Sequence, residues 1–145
     1  MDPQLSREKL ESLMRCVQRI EQTRVGSAEA LVDSIDAQDI LTLNLTRAVQ
    51  LCADLAVLLL TDSRRTAPAS MEDAMRELAD ADIVSPDLAQ RMRAAIGFRN
   101  LAVHAYRDID WAIVHHLAYE GVEDLRDFAR AVARHLDDEA ARNGD

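Results

Sequence analysis

Apolar residues recur along this chain at helical spacing almost from end to end. Leu10, Leu13, Val17 and Ile20 alternate at intervals of three and four, so a first helix is predicted over about residues 6–23. Arg24-Val25-Gly26-Ser27 interrupts the pattern, and Ser27 and Asp33 are candidate caps for the short turns that follow. A second helix is predicted over about 36–60. Leu41, Leu45, Ala48, Leu51 or Cys52, Leu55 and Leu58 mark one face, while Ile40, Leu43, Val49, Ala56 and Leu60 spread apolar surface around the rest. A helix apolar around its girth belongs at the centre of a bundle or in a subunit interface. It also carries Arg47 and Asp54, seven apart and so on nearly one face, read first as a buried pair that sets register and second as support for a site.

Residues 61–69 read as a polar loop in which Arg64 and Arg65 are read first as solvated and second as reaching a further phosphate. Ser70, three residues before Asp73, opens a short helix through Met71, Met75 and Leu78. Ser85-Pro86 is a second start signal, with serine as N-cap and proline in the first helical position. From there Leu88, Met92, Ala95 and Ile96 point to the core. Asp108-Ile109-Asp110 forms a turn, and Asp110 caps the next helix. The last segments are 111–119 and 122–141, with Gly121 between them as a break or kink and Val122, Leu125, Phe128, Val132 and Leu136 as the final stripe. Trp111 and Phe128 are expected in the core. The sum is an all-α protein, residues 1–145 forming one domain of four to five long helices plus one or two short ones.

Composition agrees with this, since apolar residues make up 48% but aromatics only 3%, leaving Ala, Leu, Val and Ile to build the core. No uninterrupted apolar run reaches the roughly 18 residues of a membrane span, and the first residues lack the apolar core of a signal peptide, so a cytoplasmic protein without membrane association is expected. Cys16 and Cys52 read as buried thiols in a reducing compartment. The four histidines offer no metal-ligand spacing: His115 and His116 are adjacent, so about 100° apart on a helix, and His135 stands alone. Neither metal nor cofactor is expected, and those three histidines are read as surface or cap groups.

A net charge of −9 argues against coating nucleic acid by bulk electrostatics. The charge is unevenly placed, however: all 26 acidic residues lie outside residues 88–107, a window that holds Arg91, Arg93, Arg99 and Arg107. A local anion-binding surface follows. Within the window, residues 99–106 read Arg-Asn-Leu-Ala-Val-His-Ala-Tyr. Arg99 can hold a phosphate with a planar fork of donors, and a histidine such as His104 can take or give a proton. Asn100, four residues before His104, can orient the imidazole. Arg99 and His104 are five apart, about 140° around an ideal helix. They converge if the helix ends near His104, if Arg99 folds across, or if a second subunit closes the site. The residue types suit RNA cleavage by 2′-hydroxyl attack without a metal, with His104 as base or acid and Arg99 stabilising the phosphorane.

The segment Ile96-Gly-Phe-Arg-Asn-Leu-Ala-Val-His-Ala-Tyr106 resembles the core motif of HepT-like proteins, the HEPN-domain toxins of toxin–antitoxin pairs. The likeness extends to Arg47-Ala-Val-Gln50 through Asp54, to Met71–Leu78 and to Ile109-Asp-Trp111. It implies an HEPN bundle, a homodimer with the site where two motif helices meet, and metal-independent endoribonuclease activity. Arg99 and His104 would be catalytic, Asn100 supporting, and Arg91, Arg93 and Arg107 candidate phosphate contacts. The implied partner is a minimal nucleotidyltransferase antitoxin, which would silence the toxin by transferring AMP to Tyr106, and higher assemblies with it are open. The main rival is a non-catalytic HEPN subunit that binds a nucleotide or serves a nucleotidyltransferase. A second is an interaction protein dimerising through its apolar second helix.

Overall fold

The computed structural model describes residues 3–62 and 66–144, and the reading of Arg64 and Arg65 lies outside the described residues. Four long helices form the bundle: α1 (Pro3–Thr23), α3 (Ile35–Asp62), α5 (Pro86–His104) and α7 (Val122–Arg142). Between them lie α2 (Ala28–Val32), α4 (Met71–Asp80) and α6 (Trp111–His116). No strand occurs among the described residues.

Helix α3 is the hub, packing against α1, α2, α4, α5, α6 and α7. Leu41, Leu45, Ala48, Cys52 and Leu55 are all buried, as are Val49, Ala56 and Leu60 on its flanks; near its end Leu59 takes the buried position expected of Leu58, which is only partly covered. Over 18 residues its mean hydropathy reaches 1.5, so by length and composition it could cross a membrane although no single apolar run is that long. More than half of that window (56%) is covered by the rest of the bundle, which is the mark of a core helix. Leu13, Val17 and Ile20 of α1 and Leu125, Phe128, Val132 and Leu136 of α7 close over it. Trp111 is only partly buried, packed at the edge of this core. Cys16 and Cys52 are free and buried, and burial pushes both thiols up.

The boundaries follow local chemistry. Helix α1 starts at Pro3, ahead of the residue-6 start that its apolar stripe suggests, because proline suits a first turn whose N–H groups have no partner. Ser27 caps α2 by accepting from Ala30 N at 3.1 Å. The other expected cap, Asp33, sits at the C-terminal end of α2 instead, and Ser34 takes over, accepting from Ala37 N at 3.2 Å at the head of α3. Ser70, Ser85 and Asp110 cap α4, α5 and α6, accepting from Asp73, Leu88 and Ala112 amides at 3.0, 3.0 and 2.9 Å.

Gly121 does not break the chain. Helix α6 passes into α7 through one π-helical turn, Leu117–Gly121, with Gly121 at helical angles (φ −64, ψ −31). The widened turn swings Leu117 over Gly121, so a Cβ there would lie 3.1 Å from Leu117 Cδ2. Glycine is present for close approach, not for a bend.

The end of α5 as a candidate active site

Helix α5 ends at His104, where Ala105 leaves helical angles (φ −144, ψ 53) while its amide still donates to Leu101 O at 2.7 Å. Tyr106–Asp108 then makes a single 3-10 turn. The helix therefore stops inside the octapeptide, leaving His104 and Tyr106 exposed on its rim while Arg99 and Asn100, a turn earlier, are half-buried.

Arg99 is held in place. Its Nη1 donates to Asn100 Oδ1 at 3.1 Å, and Asn100 Nδ2 donates to Glu72 Oε1 at 3.3 Å. This relay ties α5 to the first turn of α4. The expected bond from Asn100 to the His104 imidazole is not made, because the amide faces α4, where the Glu72 carboxylate satisfies it. Asn100 positions the guanidinium, and the imidazole has no hydrogen bond among the described residues.

Tyr106 is 47% exposed. Its hydroxyl donates to Asp39 Oδ1 on α3 at 3.3 Å, and its ring stands edge-on to Trp111 with centroids 6.2 Å apart. Partial burial, and then the Asp39 carboxylate, raise the phenol pKa above its ordinary value. The ring sits in a shallow groove of about 310 Å³ between α3 and α5, shared with Leu43, Thr46 and Val103. Sequence reasoning missed Asp39, which lies 67 positions from Tyr106. Nothing in its local pattern sets it apart from the other acids of α3.

The acid-free window of the sequence is not acid-free in space. Arg91 is shared between Asp87, just outside the window, and Asp124 of α7, whose Oδ1 lies 2.7 Å from Nε. Glu72 reaches Asn100 and Asp39 reaches Tyr106. Arg93 and Arg107 are exposed, with no ion pair among the described residues. The expected Arg47–Asp54 pair does not form either: Asp54 accepts from Gln50 Nε2 at 2.9 Å and lies 3.5 Å from Lys9 Nζ, and Arg47 is exposed. His115 is not a surface group, since its Nε2 is buried without a partner and its ring lies 5.0 Å from that of Tyr119. His116 is exposed, and His135 lies 3.8 Å from Glu139. Among the described residues no three His, Cys, Asp or Glu side chains gather as a metal-binding group.

Residues 13–132 match the family model described as ribonuclease HepT-like, which places the motif, the relay and Asp39 inside the matched region. The chain belongs to the ribonuclease HepT-like family. It is 29% identical over 120 residues to the mRNA nuclease HepT of Shewanella oneidensis, covering 83% of this chain and 90% of that one. Among solved structures it is similar to the tri-AMPylated HEPN toxin of Shewanella oneidensis in complex with an MNT antitoxin (TM-score 0.84, 27% identity, 92% of this chain and 99% of that one). A toxin–antitoxin crystal structure with AMP-PNP is similar too, with TM-score 0.82, 26% identity and coverage of 91% and 99%. The all-α HEPN bundle expected of HepT-like proteins is thus the fold found.

Proposed function

We propose that this HepT-like protein is the toxin of a toxin–antitoxin pair, a cytoplasmic endoribonuclease of one HEPN domain that cleaves RNA without a metal ion. The observation that carries the reading is the α5 terminus: a tethered, half-buried Arg99 beside an exposed His104 and Tyr106. That Shewanella relatives bear the names mRNA nuclease and HEPN toxin supports it.

His104 removes the proton of the substrate 2′-hydroxyl or protonates the leaving 5′-oxygen, and Arg99 stabilises the charge on the phosphorane. The new bond joins the 2′-oxygen to phosphorus and the bond to the 5′-oxygen breaks, leaving a 2′,3′-cyclic phosphate and a 5′-hydroxyl. Each copy supplies one motif histidine, and Arg99 and His104 leave the helix about 140° apart. A homodimer that sets two motif helices face to face supplies both proton-transfer groups and closes the gap. Arg93 and Arg107 are candidate backbone contacts. Arg91 contributes less, because it must first leave two carboxylates.

The phenol of Tyr106 is the acceptor for AMP from a cognate minimal nucleotidyltransferase. The phenolic oxygen attacks the α-phosphorus of a nucleoside triphosphate and pyrophosphate leaves. Asp39, 3.3 Å away, receives the proton. The product carries a bulky anion where the RNA phosphate should sit. The AMPylated state of the Shewanella toxin supports this assignment.

The test is His104→Ala in the full chain, expressed with and without the antitoxin. A ribonuclease loses both RNA cleavage and growth arrest. A non-catalytic nucleotide-binding or partner subunit loses ligand affinity only, and that result would displace the proposal.

A further inference from the structure

An open cavity of about 570 Å³ lies between side chains of α1 and α3, with no residue of the α5 motif in its lining. Arg15 and Arg19, one turn apart on α1, face it together with Arg47 of α3. Ser12, Asn44 and Gln50 supply the rest of its polar wall, and no carboxylate among the described residues lines it. Asn44 is nine-tenths buried, with its amide anchored to Ile40 O at 2.9 Å, so the floor is rigid.

Arg15, Arg19 and Arg47 make no ion pair among the described residues. Arg76, Arg91, Arg126, Arg130 and Arg142 each rest on a neighbouring acid. Arg15 bonds only Ser12 Oγ, at 2.9 Å, and Arg19 and Arg47 have no side-chain partner among the described residues. In a chain of net charge −9 there are acids to spare, yet three cations converge here unpaired. Their fields meet at the cavity floor: burial raises the Cys16 thiol, while Arg47 and Arg15 both pull it back down. Like charges held together repel, and an anion between them relieves the repulsion.

Guanidinium forks are suited to phosphate oxygens. No aromatic side chain among the described residues lines the cavity, so they offer no platform on which a nucleobase would stack. That favours the backbone of a strand over a free nucleotide, through contacts that position without reading sequence. Along α3, Arg47 lies two turns, about 12 Å, beyond Asp39, the partner of Tyr106. A strand leaving the end of α5 across the exposed face of α3 reaches the cavity directly.

We propose that the Arg15–Arg19–Arg47 cavity binds a backbone phosphate of the RNA substrate, as a second contact point beside the α5 motif. The inference rests on the ribonuclease reading for the identity of the strand, and its test does not depend on cleavage. A fluorescent RNA oligonucleotide carrying 2′-O-methyl groups throughout cannot be cleaved, because its nucleophile is blocked. Its affinity for the full chain is measured by anisotropy over a series of salt concentrations. The comparison runs across wild type, Arg47→Ala, Arg19→Ala with Arg47→Ala, and the matching lysine variants.

The affinity should fall with each alanine. The slope of log affinity against log salt should lose about 0.7 per arginine removed, as for single strands, while the lysine variants keep the slope. Unchanged affinity and slope in an Arg47→Ala protein that melts like wild type would overturn the inference. So would loss of AMP or inorganic phosphate binding, read by calorimetry, with RNA binding intact. Cleavage of unmodified RNA by wild type is scored separately. If that fails while the alanine variants lose oligonucleotide binding, the catalytic reading falls and the cavity assignment stands.

Discussion

The Tyr106 hydroxyl donates to the Asp39 carboxylate at 3.3 Å, joining the end of α5 to the start of α3. This contact gives the Tyr106 phenol a hydrogen-bond acceptor, and together with partial burial it raises the phenol above its ordinary pKa of about 10. In a Tyr119→Phe background, ultraviolet titration should place Tyr106 above that value, and Asp39→Asn should bring it down. A phenol whose folded pKa is raised contributes stability that is fully present below the unfolded value and lost as pH climbs through the folded one. The Asp39→Asn protein should therefore lose less stability above pH 10 than wild type. It should also accept AMP more slowly at neutral pH, because the proton acceptor is gone.

The Arg99–Asn100–Glu72 relay makes a different prediction. Asn100→Ala leaves the guanidinium free to swing and should lower kcat by about tenfold with a smaller change in KM, since misplacing a catalytic group costs the transition state more than binding. Arg99→Lys keeps the charge but loses the planar fork, and should cost on the order of 10²-fold in kcat. Equal losses for Asn100→Ala and Arg99→Ala would mean that the amide touches substrate itself.

Gly97 is exposed in the middle of α5, two residues before Arg99, and a Cβ there meets nothing within 4 Å in the single chain. Glycine inside a helix costs roughly 0.5–1 kcal/mol relative to alanine. Gly97→Ala should therefore stabilise the isolated fold by about that amount in urea denaturation. If two motif helices meet across this face, the same methyl obstructs them. Sedimentation should then show weaker dimerisation and cleavage should fall, despite the stabler fold.

The helices are legible because α1 and α7 carry clear apolar stripes, because α3 is apolar over most of its length, and because Ser27, Ser70, Ser85 and Asp110 announce the starts of others. The motif was legible because Arg99, Asn100, His104 and Tyr106 are close in sequence. What connects it to the rest was not. Glu72 reaches Asn100 over 28 positions and Asp124 reaches Arg91 over 33, so a window empty of acids in sequence is supplied with them by the fold. Arg47 and Asp54 share a helix face, but Lys9 of α1 and Gln50 claim the carboxylate. The π-helical turn at Gly121 looks in sequence like a break or kink, because one extra residue in a turn leaves the stripes on either side intact.

The proposed function stands or falls on whether Arg99 and His104 cleave RNA by 2′-hydroxyl attack without a metal ion. The most direct measurement is the chemistry of the RNA ends left by the purified protein in EDTA, read by mass spectrometry against a His104→Ala control. Wild type should leave 2′,3′-cyclic phosphate and 5′-hydroxyl ends, and the variant none. Cleavage that appears only when magnesium is restored, leaving 3′-hydroxyl and 5′-phosphate ends, would contradict it.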